Sequence, residues 1–262
     1  MKIQNQRDNN KNNKERQTEM DRHPRYKAAI FDMDGTVLDT LEDLKDALNY
    51  AMQESGHKIR LDRQQTALCF GSAVHVAIQR ALAIENGMAE QDLLLIGTTG
   101  HDKVDGIDEN EVNRIQAIYK PYYEAHCADK TGPYAGIPES IQKLRAAGIP
   151  CAVVSNKPDP AVQSLVSSDF PGVFDFALGE REGTRRKPAP DMTLQSLKAL
   201  NIDPSDAVYI GDTEIDFRTA KNSGLDCISV TWGFRSRKFL EDLGSRVIVD
   251  RPDEMVDVIL GK

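Results

Sequence analysis

The 262-residue chain has no run of about 18 apolar residues, the length a helix needs to cross a bilayer. Its amino terminus offers charged and amide side chains where a signal peptide needs an apolar segment. Both absences lead to the expectation of a cytoplasmic protein without a membrane partner. Cysteine is scarce too. Cys69, Cys127, Cys151 and Cys227 form no C-x-x-C pair and follow no regular spacing. That argues against a zinc site or a disulfide framework and fits a reducing compartment. Cys151 and Cys227 lie in short apolar runs and are expected as buried small hydrophobes. A surplus of positive charge is also missing. The formal net charge is −8, and the first 25 residues hold seven Lys and Arg against four Asp and Glu, which leaves −11 for the remainder. So acidic a folded part argues against a general nucleic-acid binder, because phosphate contacts need a basic surface. An enzyme for anionic substrates must instead concentrate positive charge locally. No internal repeat is present.

What remains has a clear rhythm. Residues 1–25 are too polar to bury surface and read as a disordered tail, with a basic docking arm as the alternative. From Tyr26 the apolar run KAAIF leads into DMDGT, a buried strand meeting a loop. The same pattern recurs in IPCAVVSNK, DAVYIGDTE and LDCISVTWG. Helical patterns separate these strands at residues 138–147, 158–168, 190–200 and 214–223, with Pro at starts and Gly148 and Gly224 at ends. Alternating strands and helices predict an α/β fold: a Rossmann-like parallel sheet core with helices on both faces and ligands outside the strands' carboxyl ends. Residues 41–128 break the rhythm. LEDLKDALNYAMQ and HVAIQRALAI are helical, no strand is convincing, and GTTGHDKVDGIDEN reads as a loop. The chain is therefore divided into a core of residues 26–40 and 129–262 and an inserted helical subdomain of residues 41–128.

The chemistry-bearing residues sit at the strand ends. Asp32 and Asp34, with Gly35 bending the chain, can bring two carboxylates to one site, one ionised and its neighbour biased toward protonation. A structural turn or a calcium loop would use similar residues. Asp212 and Asp216 straddle a helix start, where four-residue spacing puts them on one face and suits a Mg²⁺ site of hard oxygen ligands; capping by Asp212 or Thr213 is the plainer alternative. Ser155, Asn156 and Lys157 offer a hydroxyl and backbone N–H groups near a helix start, a place for phosphate. Lys187, in RRKPAPD, can offset phosphate charge. Met33 and Val37 flank the acids as packing residues, and Trp232 and Phe234 are expected near the rim.

In combination, FDMDGTVLDT, VVSNK, RRKPAPD and YIGDTEID resemble the haloacid dehalogenase superfamily over residues 26 to about 250. The resemblance implies Asp32 as nucleophile and Asp34 as general acid and then base. It implies Mg²⁺ held by Asp32, the Asp34 main-chain oxygen and Asp212, with Asp216 as support behind them. Thr36, Ser155 and Asn156 would bind the phosphoryl group beside Lys187, and the helical insertion would be the family's cap, with His75, Arg80 and His101 as candidate substrate contacts. Within the superfamily the chain is most similar to phosphoglycolate phosphatases, from YYEAHCADKTGPYAGIPESIQKLRAAGIPCAVVSNKP and SVTWGFRS. Expected, then, is a Mg²⁺-dependent phosphatase acting on a small phosphorylated metabolite, first 2-phosphoglycolate, as a monomer or homodimer. A pyrophosphatase, nucleotidase, sugar phosphatase or phosphomutase of the same superfamily is the alternative, and a non-catalytic binding protein is the rival from another class.

Overall fold

A computed structural model describes residues 25–98 and 104–262. The amino-terminal tail and His101 lie outside the described residues. The core elements are β1 (Ala28–Phe31), β4 (Cys151–Pro158), β5 (Phe176–Glu180), β6 (Ala207–Gly211), β7 (Asp226–Val230) and β8 (Val247–Val249). Their helices are α6 (Ile137–Ala146), α7 (Asp159–Asp169), α8 (Asp191–Leu200), α9 (Glu214–Ser223), α10 (Arg237–Asp242) and α11 (Pro252–Leu260). The strands form one six-stranded sheet in the order β5-β4-β1-β6-β7-β8, and every pairing is parallel.

Strand side chains alternate between the two faces, and both faces here are apolar. Ala29, Phe31, Cys151, Val153, Val208, Ile210, Ile228 and Val230 point to one side, where Ile137, Ile141 and Leu144 of α6, Val162 and Leu165 of α7 and Met255 and Ile259 of α11 cover them. Ala28, Ile30, Ala152, Val154, Ala207 and Tyr209 point to the other, under Met192 and Leu197 of α8 and Ala220 of α9. Burial on both faces explains the continuous apolar runs and makes the strand ends the place where polar chemistry meets solvent. Met33 and Val37 are buried in the first cluster, as expected for packing residues. Cys151 is buried, Cys227 is half-buried, and all four cysteines are free.

Between the first and second motifs lie α1 (Leu41–Glu54), α2 (Arg63–Cys69), α3 (Val74–Glu85), α4 (Glu90–Leu93) and α5 (Glu109–His126). They build a separate apolar cluster. Leu44, Leu48 and Met52 of α1 meet Ala77, Ile78 and Ala81 of α3 and Val112, Ile115 and Tyr119 of α5. Entry and exit run side by side: β2 (Leu38–Asp39) pairs antiparallel with β3 (Gly132–Pro133). The buried Asp43 carboxylate accepts hydrogen bonds from the Lys130 N–H at 3.0 Å and the Thr131 N–H and hydroxyl at 2.8 Å, tying the exit to the start of α1. Among the described residues no helix is long and apolar enough to cross a membrane.

His57 joins three parts of this helical unit. Its Nδ1 lies 2.5 Å from Glu85 Oε2 at the end of α3 and its Nε2 2.8 Å from Glu111 Oε1 of α5. Partial burial disfavours the imidazolium, but the two carboxylates outweigh it and raise the His57 pKa. A folded-state pKa above the unfolded value of about 6.5 stabilises the fold fully below that value and loses the contribution as pH rises through the higher folded one. Replacing His57 by Gln is expected to lower the Tm most at pH 6 and progressively less toward pH 9, read from thermal unfolding of both proteins across that range. An equal loss at every pH would contradict the linkage.

Candidate active site

The carboxyl ends of β1, β4 and β6 converge on one cavity of about 610 Å³. Asp32, Asp34, Ser155, Asn156, Lys157 and Lys187 line its floor, and residues of α5 and of the turn before α3 line its roof. Asp32 follows β1, and its backbone N–H is held at 2.9 Å by the Ile210 carbonyl of β6. Asp212 follows β6 directly. Parallel pairing of β1 with β6 thus brings Asp32 and Asp212 together. Gly35 completes the turn with φ of +88°, and a Cβ there would collide with the Asp212 carboxylate. Gly233 approaches the same carboxylate from the loop after β7, where a Cβ would strike both Asp212 and the Gly35 carbonyl. The two glycines are therefore what lets a carboxylate be packed between two loops.

Lys187 is the cation of this floor. Its Nζ donates to Asp32 Oδ1 and, at 2.8 Å, to Asp216 Oδ1. Burial works against charge on Lys187, yet Asp216 and Asp32 outweigh it and hold its pKa well above the usual lysine value. Burial, with the charge of Asp216 next, raises Asp32 well above the carboxylate range against the pull of Lys187. Asp212 is pushed up to about 7 by burial and then Asp216, although the Phe234 N–H donates to its Oδ2 at 2.7 Å and the Thr36 hydroxyl to its Oδ1 at 2.9 Å.

Several sequence-predicted residues are placed differently from expectation. The single hydroxyl proton of Thr36 is committed to Asp212, so in this arrangement it orients that carboxylate rather than facing a phosphoryl group. Asn156 clamps the Lys187 backbone: its Nδ2 donates to the Lys187 carbonyl at 3.1 Å and its Oδ1 accepts the Lys187 N–H at 2.8 Å. Its amide therefore positions Lys187. Ser155 stays at the cavity, with Oγ 3.4 Å from Asp34 Oδ2. Asp216 caps α9, accepting the Thr213 hydroxyl at 2.6 Å and N–H at 3.2 Å, as well as Lys187. Thr213 is thus the N-cap of α9, in line with the capping alternative, and Asp216 closes the capping box while also accepting Lys187. Of the helical candidates, His75 lines the cavity and pairs with Glu109 at 3.0 Å. Arg80 does not reach it. That guanidinium is buried and donates to the Leu68 carbonyl at 3.0 Å and the Ile96 carbonyl at 2.9 Å, so the expectation of a substrate contact at Arg80 is corrected. An arginine within an apolar helical pattern met backbone acceptors instead of solvent.

Two residues, Lys157 and Arg235, take roles that local sequence pattern did not reveal. Lys157 is buried, with Nζ 3.1 Å from Asp34 Oδ1 and donating to the Tyr123 hydroxyl of α5 at 2.6 Å. Burial disfavours its charge, but Asp34 and then Tyr123 outweigh it and raise its pKa. A lysine closing an apolar strand run was the available signal. Arg235 is also buried. It forms a two-armed pair with Glu214 of α9, Nε to Oε2 at 2.8 Å and Nη2 to Oε1 at 3.0 Å. It also donates to the carbonyls of Ala67 at 2.6 Å and Phe70 at 2.7 Å, at the carboxyl end of α2. Core and helical unit are joined there by orphan helix carbonyls taken up by a guanidinium.

Residues 29–230 match the model of the haloacid dehalogenase-like hydrolases. The chain belongs to that family. Its curated relatives include the N-acetylmuramic acid 6-phosphate phosphatase of Pseudomonas aeruginosa, 29% identical over 240 residues, 90% of this chain and 95% of the relative. The phosphoglycolate phosphatase of Psychrobacter arcticus is 26% identical over 232 residues, 88% and 94% of the two chains. Among solved structures, that of a proposed phosphoglycolate phosphatase from Lactobacillus delbrueckii subsp. bulgaricus superposes with a TM-score of 0.88 at 51% identity, covering 90% of this chain and 99% of that one. This member of the family is accordingly a phosphoric monoester hydrolase, and its substrate is a small phosphorylated compound.

The donor chemistry of the floor fits a divalent metal. Asp32, Asp212 and Asp216 are buried, and each offers a carboxylate oxygen within 4.8 Å of the others. Against three carboxylates stands the one ammonium of Lys187, and the surplus suits a hard divalent cation bound through oxygen. Asp216 already accepts from Lys187 and Thr213, which leaves Asp32 and Asp212 with the greater free capacity.

The buried pair between Arg235 and Glu214 yields a stability prediction. Removing one partner of a buried ion pair strands the other charge, at about 3 to 5 kcal/mol. Arg235→Met is expected to lose that much in urea unfolding; a loss under about 1 kcal/mol would show that the pair is not desolvated as the structure has it.

Proposed function

We propose that this hydrolase is a Mg²⁺-dependent phosphatase that works through an aspartyl-phosphate on Asp32 and prefers a monoester whose leaving group carries a carboxylate, 2-phosphoglycolate being the first choice. The observation that supports it best is the division of one cavity floor between two acids, each with its own lysine: Asp32 with Lys187 and Asp34 with Lys157. An Asp32 oxygen attacks phosphorus while the bond to the ester oxygen breaks, and Asp34 passes its proton to that oxygen. Water then attacks the phosphoryl group with Asp34 taking its proton, which frees phosphate and restores Asp32. Lys187 and Ser155 face the charge that gathers on the phosphoryl oxygens. Asp32, Asp212 and the Asp34 main-chain oxygen would hold Mg²⁺, with Asp216 behind them. Bound there, it would offset negative charge on the phosphoryl oxygens. Residues 41–128 would serve as a cap that excludes water over the core of residues 26–40 and 129–262. A cytoplasmic location, supported by cysteines set singly in the sequence, belongs to the same reading.

A specific observation favours a second reading, a larger sugar phosphate such as the N-acetylmuramic acid 6-phosphate named for one relative. The cavity volume of about 610 Å³ lies within the range that takes drug-sized ligands and exceeds the needs of glycolate. On its α5 wall Gln116 Oε1 is buried without a hydrogen-bond partner, an acceptor suited to a free hydroxyl or amide N–H that 2-phosphoglycolate lacks.

Asp32→Asn is expected to cut phosphate release by at least about 10³-fold with an unchanged circular dichroism spectrum, because an amide forms no phosphoaspartate. A folded variant retaining a tenth of the wild-type rate would refute the nucleophile. Excess chelator should abolish phosphate release, Mg²⁺ should restore it, and Ca²⁺, with its larger and looser shell, should restore it poorly. Full activity in chelator would remove the metal from the account.

A further inference from the structure

Lys157 is left over by the chemistry of the floor. The phosphoryl side already has Lys187, whose Nζ donates to Asp32 and Asp216. Lys157 stands on the other side, beside the acid that meets the ester oxygen: its Nζ pairs with Asp34 Oδ1 at 3.1 Å and donates to the Tyr123 hydroxyl at 2.6 Å. Tyr123 holds the ammonium from the roof, its ring centroid 4.9 Å from Nζ, and stacks on Tyr119 with centroids 5.4 Å apart. Gln116, Tyr119 and Tyr123 are spaced three and four residues apart on α5 and all line the cavity. A cation buried under an aromatic roof, lining the cavity with a catalytic acid 3.1 Å away, is placed to receive a second negative group a few bonds beyond the ester oxygen.

We infer that Lys157, held by Tyr123, is the specificity residue of this enzyme and binds an anionic oxyacid group on the leaving group close to the ester oxygen. The Tyr123 hydroxyl, accepting from Lys157, donates its own proton to the same group. The inference rests on the phosphatase reading and deepens it. A carboxylate and a second phosphate share the required chemistry.

The test compares kcat/KM for 2-phosphoglycolate and for ethylene glycol bisphosphate, each against the uncharged match 2-hydroxyethyl phosphate, in wild type, Lys157→Met, Lys157→Arg and Tyr123→Phe. Wild type should favour at least one anionic substrate, and which one identifies the group. Lys157→Met should lower that preference about 10- to 100-fold, the loss of one charge-assisted hydrogen bond, mainly through KM. Lys157→Arg should recover part of it, and Tyr123→Phe should lower it several-fold. Should Lys157→Met fail to fold, the Arg and Phe variants still decide. An unchanged preference, with both substrates losing equally, would show that Lys157 only positions Asp34 and would overturn the inference, as would a wild type that prefers the uncharged substrate. A wild type that releases phosphate from none of the three, nor from N-acetylmuramic acid 6-phosphate, would overturn the phosphatase reading itself.

Discussion

Three carboxylates, Asp32, Asp212 and Asp216, are buried around one ammonium, that of Lys187, and much of the core is arranged to make this tolerable. Unpaired carboxylates in an apolar interior cost several kcal/mol each, so each needs donors in place. The Phe234 N–H and the Thr36 hydroxyl serve Asp212, Thr213 serves Asp216, and Lys187 bridges Asp32 and Asp216. Asn156 fixes the Lys187 backbone from the next strand end. What these donors leave uncompensated is negative charge, a surplus that a divalent cation could offset.

The second buried lysine extends the same logic toward the roof. Lys187 faces Asp32, Lys157 faces Asp34, and Tyr123 links Lys157 to α5. A further bridge of buried charge, Arg235 with Glu214, fastens the end of α2 to the start of α9. Arg80 lies 3.9 Å from Glu214 and holds the carbonyls around α2 from the other side. The helical unit therefore rests on the core through polar groups that must stay satisfied, beside the apolar contact of Phe234 with its cluster.

Much of this was legible in the sequence, for identifiable reasons. Strands buried on both faces leave continuous apolar runs, which marked β1, β4, β6 and β7, and the acids at their ends announced the floor. The edge strands β5 and β8 were not legible, because five and three residues with half-buried faces carry too little pattern. Helix α5 was not singled out within the helical stretch because Pro121 and the polar Glu109, Asn110, Glu111, Asn113, Arg114 and Gln116 obscure its apolar face, of which Val112, Ile115 and Tyr119 are the buried part. Within the site, residue type identified the acids and Lys187, whereas the uses of Thr36, Asn156 and Arg80 depend on which acceptor the fold brings near. The roles of Lys157 and Arg235 likewise need partners far away in sequence, Tyr123 and Glu214, which no local spacing reveals.

The most direct test of the central claim is capture of the covalent intermediate. Enzyme mixed with substrate and Mg²⁺ is quenched in acid within the first turnover, digested, and its peptides are sequenced by mass spectrometry. The account predicts a phosphoryl group on Asp32, removable by hydroxylamine and missing without substrate. A phosphoryl group on Asp34 or on another side chain, or none under conditions of rapid turnover, would contradict it.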